Sequence, residues 1–211
     1  MLDDLPPPQR LALGYASSRS RASFRSLFVL DARLGAILRS RREPVTTQLR
    51  LAWWRDMLGR PISEWPAGEP LLAELAEWRD PTPLAALAEA WEALLADDLT
   101  TGVIAEFVDG RVSAFAALAV ELGLERPQNA AEAAKIWVLA DLAANIADGA
   151  ERQLVVDYGR QLGAPPRLSA SLRPLAVLAG LGASALAAGG GPLLAGPGSL
   201  LTALRIGMIG R

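Results

Sequence analysis

Apolar side chains recur at helical spacing along most of this sequence, and proline or glycine punctuates the segments they mark. The most defined segment is residues 43–60. Pro44 suits a first helical turn, Gly59 and Pro61 supply a left-handed cap and a stop, and between them Leu49, Trp53 and Met57 form one apolar stripe beside a second of Leu51, Trp54 and Leu58. An apolar arc that wide predicts a helix packed on two sides at the centre of an all-helical core. Residues 1–8 are a polar, proline-rich lead expected to be loosely held. Residues 9–20 and 23–42 then read as helices, with Ser20 or Ser23 as the cap between them. In the second, Phe24, Leu27, Leu30 or Asp31, Leu34, Ile37 and Leu38 recur at helical spacing, while Arg25, Arg33, Arg39, Arg41 and Arg42 occupy the rest of the wheel.

The same periodicity continues downstream. A short helix at 69–79 groups Leu71, Leu72, Leu75 and Trp78; after Asp80, Thr82 is expected to cap a helix at 83–98 that starts on Pro83 and buries Leu84, Leu87, Trp91, Leu94 and Leu95. Residues 101–122 turn Ile104, Phe107, Val108, Phe115, Leu118 and Leu122 inward, with Gly123 as the stop. Helices at 130–149 and 150–163 follow, then an Ala-Pro-Pro linker. The tail is apolar from Leu172 to Leu194, but a membrane-spanning helix needs about 20 apolar residues and the run at 189–192, Gly-Gly-Gly-Pro, interrupts it. A core helix at 169–188, a glycine loop and a last helix at 198–208 are expected instead.

Composition narrows the chemistry. With 211 residues the chain suits one domain. It holds no cysteine and no histidine, which removes disulfides, thiolate chemistry, Cys/His zinc sites and any imidazole base. Carboxylates, hydroxyls, amides and arginine remain. Net charge is −2, yet residues 1–60 carry eleven arginines against five acidic residues, so the rest of the chain is acidic. Such a basic end suits diphosphates or acidic lipid heads, or pairs with the acidic half of the same molecule. Nucleic acid is not an expected partner, because the aromatics near the arginines, Phe24 and Phe28, fall on core positions. The N-terminus shows no charged-then-apolar signal pattern, so the expected location is cytoplasmic, with the periphery of the inner membrane as the alternative.

Glu43, Pro44, Arg50, Leu51, Trp53, Trp54, Arg55, Asp56 and Leu58 together carry a motif that resembles the squalene/phytoene synthase family, closest to its divergent bacterial and mitochondrial assembly-factor-like branch. The resemblance implies an all-α fold, a single-domain helical bundle of the isoprenoid (terpenoid) synthase type over residues 9–211, with about 8–10 helices by periodicity. Leu27, Phe28 and Leu30 resemble the run leading into the family's first aspartate-rich motif, which would fall near 35–39. Gly35, Ala36 and Arg39 stand there, so the carboxylates that would hold magnesium are missing. The second aspartate-rich motif maps to residues 137–146, with Asp141 where the family has Asn, Asn145 where it has Asp, and Ala144 where it has Arg. Asp141, Asn145, Asp148 and Arg152 are spaced to form one polar stripe along a continuous helix, facing either a cavity, where it could gather one Mg²⁺, or solvent and salt bridges. The ending, Leu204 to Arg211, also resembles the family's C-terminus.

Three functions compete, the first two drawn from the resemblance and the third from the apolar tail and the charge distribution. One is a protein that keeps the fold, has lost metal-dependent prenyl transfer, and acts as a binding, assembly or scaffold protein; no cofactor is expected of it. The second is an active Mg²⁺-dependent prenyltransferase joining two prenyl diphosphates head to head, with metal on Asp141, Asn145 and Asp148 and substrate diphosphate on Arg33, Arg39 and Arg42. The third is a peripheral membrane module using the apolar tail with the N-terminal arginines. Candidate partners are accordingly an isoprenoid or prenyl diphosphate, a protein, or a membrane surface, and Arg55 with Asp56 is read as a structural pair beside the tryptophans.

Overall fold

The structure is a computed structural model that describes residues 5–40 and 43–209. Among these residues there is no strand, and ten α-helices are joined by turns and three short 3₁₀ segments: α1 (Pro7–Leu13), α2 (Arg21–Arg39), α3 (Pro44–Leu58), α4 (Pro70–Leu75), α5 (Ala85–Ala93), α6 (Thr101–Glu121), α7 (Pro127–Asn145), α8 (Gly149–Arg160), α9 (Arg173–Ala187) and α10 (Pro197–Ile209). The chain gathers into two compact units. One comprises Ala22–Glu125 with Leu5, and the other Pro6–Arg21 with residues 126–209.

In the first unit α2 is the hub. Its apolar positions Phe24, Leu27, Phe28, Leu30 and Leu34 are wholly buried, and the Phe28 ring lies 5.4 Å from Phe24 and 6.3 Å from Phe115 of α6. Ser26 on the same helix accepts the indole N–H of buried Trp78 at 3.1 Å. α3 packs against α5, and its buried apolar residues Leu51, Trp54, Met57 and Leu58 lie on a single face of the helix. The expected two-sided burial of α3 is therefore corrected: Leu49 is 65 % exposed and Trp53 39 % exposed, and with Val45 they line the opposite side. Periodicity reports an apolar arc and says nothing of how many neighbours cover it. Gly59 is likewise not left-handed, at φ −78°; the helix stops because Pro61 brings no N–H to continue it. Gly123 does adopt the left-handed conformation, φ +72°, and the N–H of Leu124 reaches back to the Ala119 carbonyl at 2.9 Å, closing α6 as expected. α5 ends at Ala93 and Thr100 caps α6, its hydroxyl accepting the Val103 N–H at 3.2 Å.

In the second unit α7 and α9 pack along one another at close range. A Cβ at Gly182 would stand 3.1 Å from both the Ile136 carbonyl and Trp137 Cα and 3.2 Å from Ala140 Cβ, and Ala133, Ala134, Ala140 and Ala143 of α7 are all buried. The stretch Ala170–Ala187 is long and apolar enough to cross a membrane by length and composition, and 56 % of it is buried within the protein. α10 and α1 both pack on α9. Arg173 at the start of α9 donates to the carbonyls of Gly207 (2.9 Å) and Met208 (3.1 Å) at the end of α10. α1 begins at Pro7, inside the lead expected to be loose, and Leu5 is buried; proline at the first helical positions forfeits no hydrogen bond. Residues 1–4 of that lead, and residues 210–211 of the C-terminal motif, lie outside the described residues.

Where α6 crosses α5, Gly110 presses on the Ala86 carbonyl and on Ala90 Cβ, leaving no room for a methyl group. Alanine favours a helix interior over glycine by about 1 kcal/mol, but here overpacking of about 1–3 kcal/mol outweighs it. Gly110→Ala is expected to lower the thermal midpoint followed by circular dichroism, whereas a gain in stability would show the two helices free to separate.

Candidate functional site

The deepest polar cluster is built on Asp31. This residue falls within the buried stripe of α2, between Leu30 and Leu34, and is 1 % exposed; Arg111 of α6 is 0 % exposed. Arg111 donates Nη2–H to Asp31 Oδ2 at 2.6 Å and Nε–H to Oδ1 at 3.0 Å, a fork-on-fork pairing. Trp91 of α5 adds its indole N–H to Oδ1 at 2.9 Å. The guanidinium carbon lies 5.1 Å from the ring centroids of both Trp91 and Phe107, and those rings meet edge to face at 5.2 Å. A buried charge pair survives when its geometry is good and its remaining donors and acceptors are met; here carboxylate and guanidinium are aligned and boxed by aromatics.

One turn further along α2 stands Gly35. A Cβ there would lie 2.9 Å from Trp91 Cη2 and 3.1 Å from Arg39 Nη1, so the indole occupies the space a larger residue would need. The α2 face carrying positions 31 and 35 is thus closed by the same tryptophan that hydrogen-bonds Asp31.

Of the arginines expected on a diphosphate, Arg33 pairs with Glu69 and stacks 5.5 Å from the Trp54 ring. Glu69 itself is the N-cap of α4, accepting the Leu71 N–H at 3.2 Å. Arg39 is exposed near the end of α2, and Arg42 lies outside the described residues. Arg55 forms the expected pair with Asp56 (3.0 Å) and also bridges α3 to α5 through Glu92 at 2.7 Å. Its pKa is raised, first by the hydrogen bond it gives Asp56 and then by the charge of Glu92. That contribution is fully present below the unfolded-state pKa and lost only as pH rises through the higher folded-state value, beyond the working range of a protein.

The residues expected on magnesium are arranged differently from the continuous stripe that their spacing suggests. α7 stops at Asn145 and α8 starts at Gly149, so Asp148 belongs to no helix interior. It is the N-cap of α8, its Oδ1 accepting the N–H groups of Ala150 and Glu151, both at 2.9 Å. Asn145 turns its amide back to donate to the Asp141 carbonyl at 2.8 Å, and Arg152 closes the break by donating to the Ile146 carbonyl at 2.6 and 3.2 Å. Among the described residues no group of three acidic side chains is placed to hold a metal ion, and Asn145 and Asp148 each bond a backbone group of their own segment.

Periodicity places Asp31 and Trp91 on inward faces without joining them, and it does not single out Arg111. The available signal was a carboxylate at a core position of an apolar stripe, which demands a cation from elsewhere in the chain. Comparison with protein-family models, with curated proteins and with solved structures finds no match to this chain.

Removing one member of the Asp31–Arg111 pair strands the other in the core. Asp31→Leu or Arg111→Met alone is expected to cost about 3–5 kcal/mol in denaturant unfolding. The double variant Asp31→Leu/Arg111→Met should recover most of that loss, giving a large coupling energy in the cycle; additive losses would show that the two residues act separately.

Proposed function

We propose that this chain is a squalene/phytoene-synthase-like protein that has lost metal-dependent prenyl transfer and serves as a binding or scaffold protein. The observation that carries this reading is Trp91. At the region where the resemblance places the first metal-binding carboxylates, Gly35 faces an indole ring that fills the adjoining space, and the nearest acidic group on that face, Asp31, is committed to Arg111 and Trp91. The second region supports the same reading. Asp148 is engaged as a helix cap, and Asn145 is bonded to its own helix. Head-to-head condensation requires carboxylates opposed across a cavity so that metal ions bridge them to a diphosphate, and neither region offers such a set. What remains suited to a role is surface: the exposed Val45, Leu49 and Trp53 of α3 form an apolar strip of the kind that mediates association.

Calorimetric titration of farnesyl and geranylgeranyl diphosphate into the pure protein, with and without Mg²⁺, followed by organic extraction, tests the reading. Binding heat independent of Mg²⁺, or none, with no condensed product is expected. Mg²⁺-dependent binding accompanied by a condensed prenyl product would overturn it and restore the active prenyltransferase.

A further inference from the structure

α10 is laid on the protein by one side only. Ala203 and Gly207 face inward, Gly207 against the ring of Tyr15, while Thr202 and Ile206 sit at the margin, Ile206 filling the space that Gly180 of α9 leaves open. On the other side Leu200, Leu201, Leu204 and Met208 are all exposed, Leu201 at 67 % and Met208 at 71 %. At 100° per residue these four fall within one arc of about 100°, and Arg205 lies on its edge. A helix this short exposes four large apolar side chains with no polar residue among them on that arc.

Within the second unit, the segments packed with this face carry charge of one sign. α10 carries no acidic residue, and neither do the segments it packs with: residues 6–21 hold Arg10, Arg19 and Arg21, all exposed, and α9 holds only Arg173. No acidic residue occurs anywhere in 158–211. Arg173 stands at the C-terminal carbonyls of α10, so cations lie both at that end of the helix and along its edge. The acidic residues of this unit, Glu132, Asp141, Asp148, Glu151 and Asp157, belong to α7, α8 and the turn between them.

We propose that α10 docks in plane on an anionic phospholipid surface, with Leu200, Leu201, Leu204 and Met208 entering the acyl boundary and Arg205 and Arg173 meeting lipid phosphates. An apolar arc with a cation on one edge and another at its C-terminal end is the pattern of an interfacial helix, and anionic headgroups supply the opposite charge that α9 and residues 6–21 lack. A second copy of the chain fits less well, because apposing two such faces would bring arginine rims of like sign together. This proposal does not depend on whether catalysis survives.

The test is co-sedimentation of the full chain with vesicles of phosphatidylcholine containing phosphatidylglycerol, against vesicles of phosphatidylcholine alone. Binding to the anionic vesicles, weak binding to the neutral ones, and loss of binding at high salt are expected. Leu201→Asp and Met208→Asp each should reduce partitioning by about tenfold or more, and Arg205→Glu by about tenfold. All three sites are exposed, so the thermal melts of the variants should match that of the parent protein, separating lost binding from lost folding. No sedimentation with anionic vesicles overturns the proposal, as does undiminished binding by Leu201→Asp. A dimer in light scattering that Leu201→Asp dissolves overturns it too, and assigns the face to a second copy.

Discussion

The first unit is organised around a carboxylate that water does not reach. Asp31 receives two N–H donors from Arg111 and one from Trp91, so a single side chain of α2 ties down α5 and α6 at once. Moving such a pair out of water is costly, and that cost is met only when every partner arrives in register. The apolar contacts around it, Phe28 on Phe115 and Trp91 on Phe107, tolerate small shifts; the forked ion pair does not. It therefore fixes the rotational setting of three helices, and the close crossing of α5 and α6 at Gly110 is compatible with that setting.

The same pair bears on function. Catalysis on diphosphates requires charge that is held open toward a ligand, whereas Asp31 and Arg111 satisfy one another. Gly35, one turn away, cedes its side-chain volume to Trp91. Polar groups that neutralise each other in the core contribute definition to the fold.

Most helices were legible because their punctuation is local. Pro44 starts α3, Gly123 ends α6, and the apolar runs of α5 and α9 declare their buried faces. What was not legible depended on tertiary neighbours or on a competing local bond. Trp53 reads as core by spacing, and only the absence of a covering element on its side exposes it. The polar stripe from Asp141 to Arg152 assumes an unbroken helix; Asp148 instead satisfies the first N–H groups of α8, and the Asp-x-x-Glu spacing to Glu151 is a start signal that outranks the 3.6-residue period. The Asp31–Arg111 contact joins residues 80 apart, a distance over which periodicity carries no information.

The meeting of α7 and α9 has a further consequence for how this sequence can change over time. At Gly182 the contact is backbone against backbone, and the flanking alanines offer no flexible side chain to absorb a misfit, Ala140 Cβ standing only 3.2 Å from where a Gly182 Cβ would be. A leucine-lined interface drifts by exchanging one volume for another; Gly182 has no smaller residue to move to and no space for a larger one. Substitutions in the second unit are therefore channelled away from the α7–α9 seam to its periphery, so that the seam would persist as a nearly invariant rail of small residues while the outer faces of α8 and α10 diversify around it.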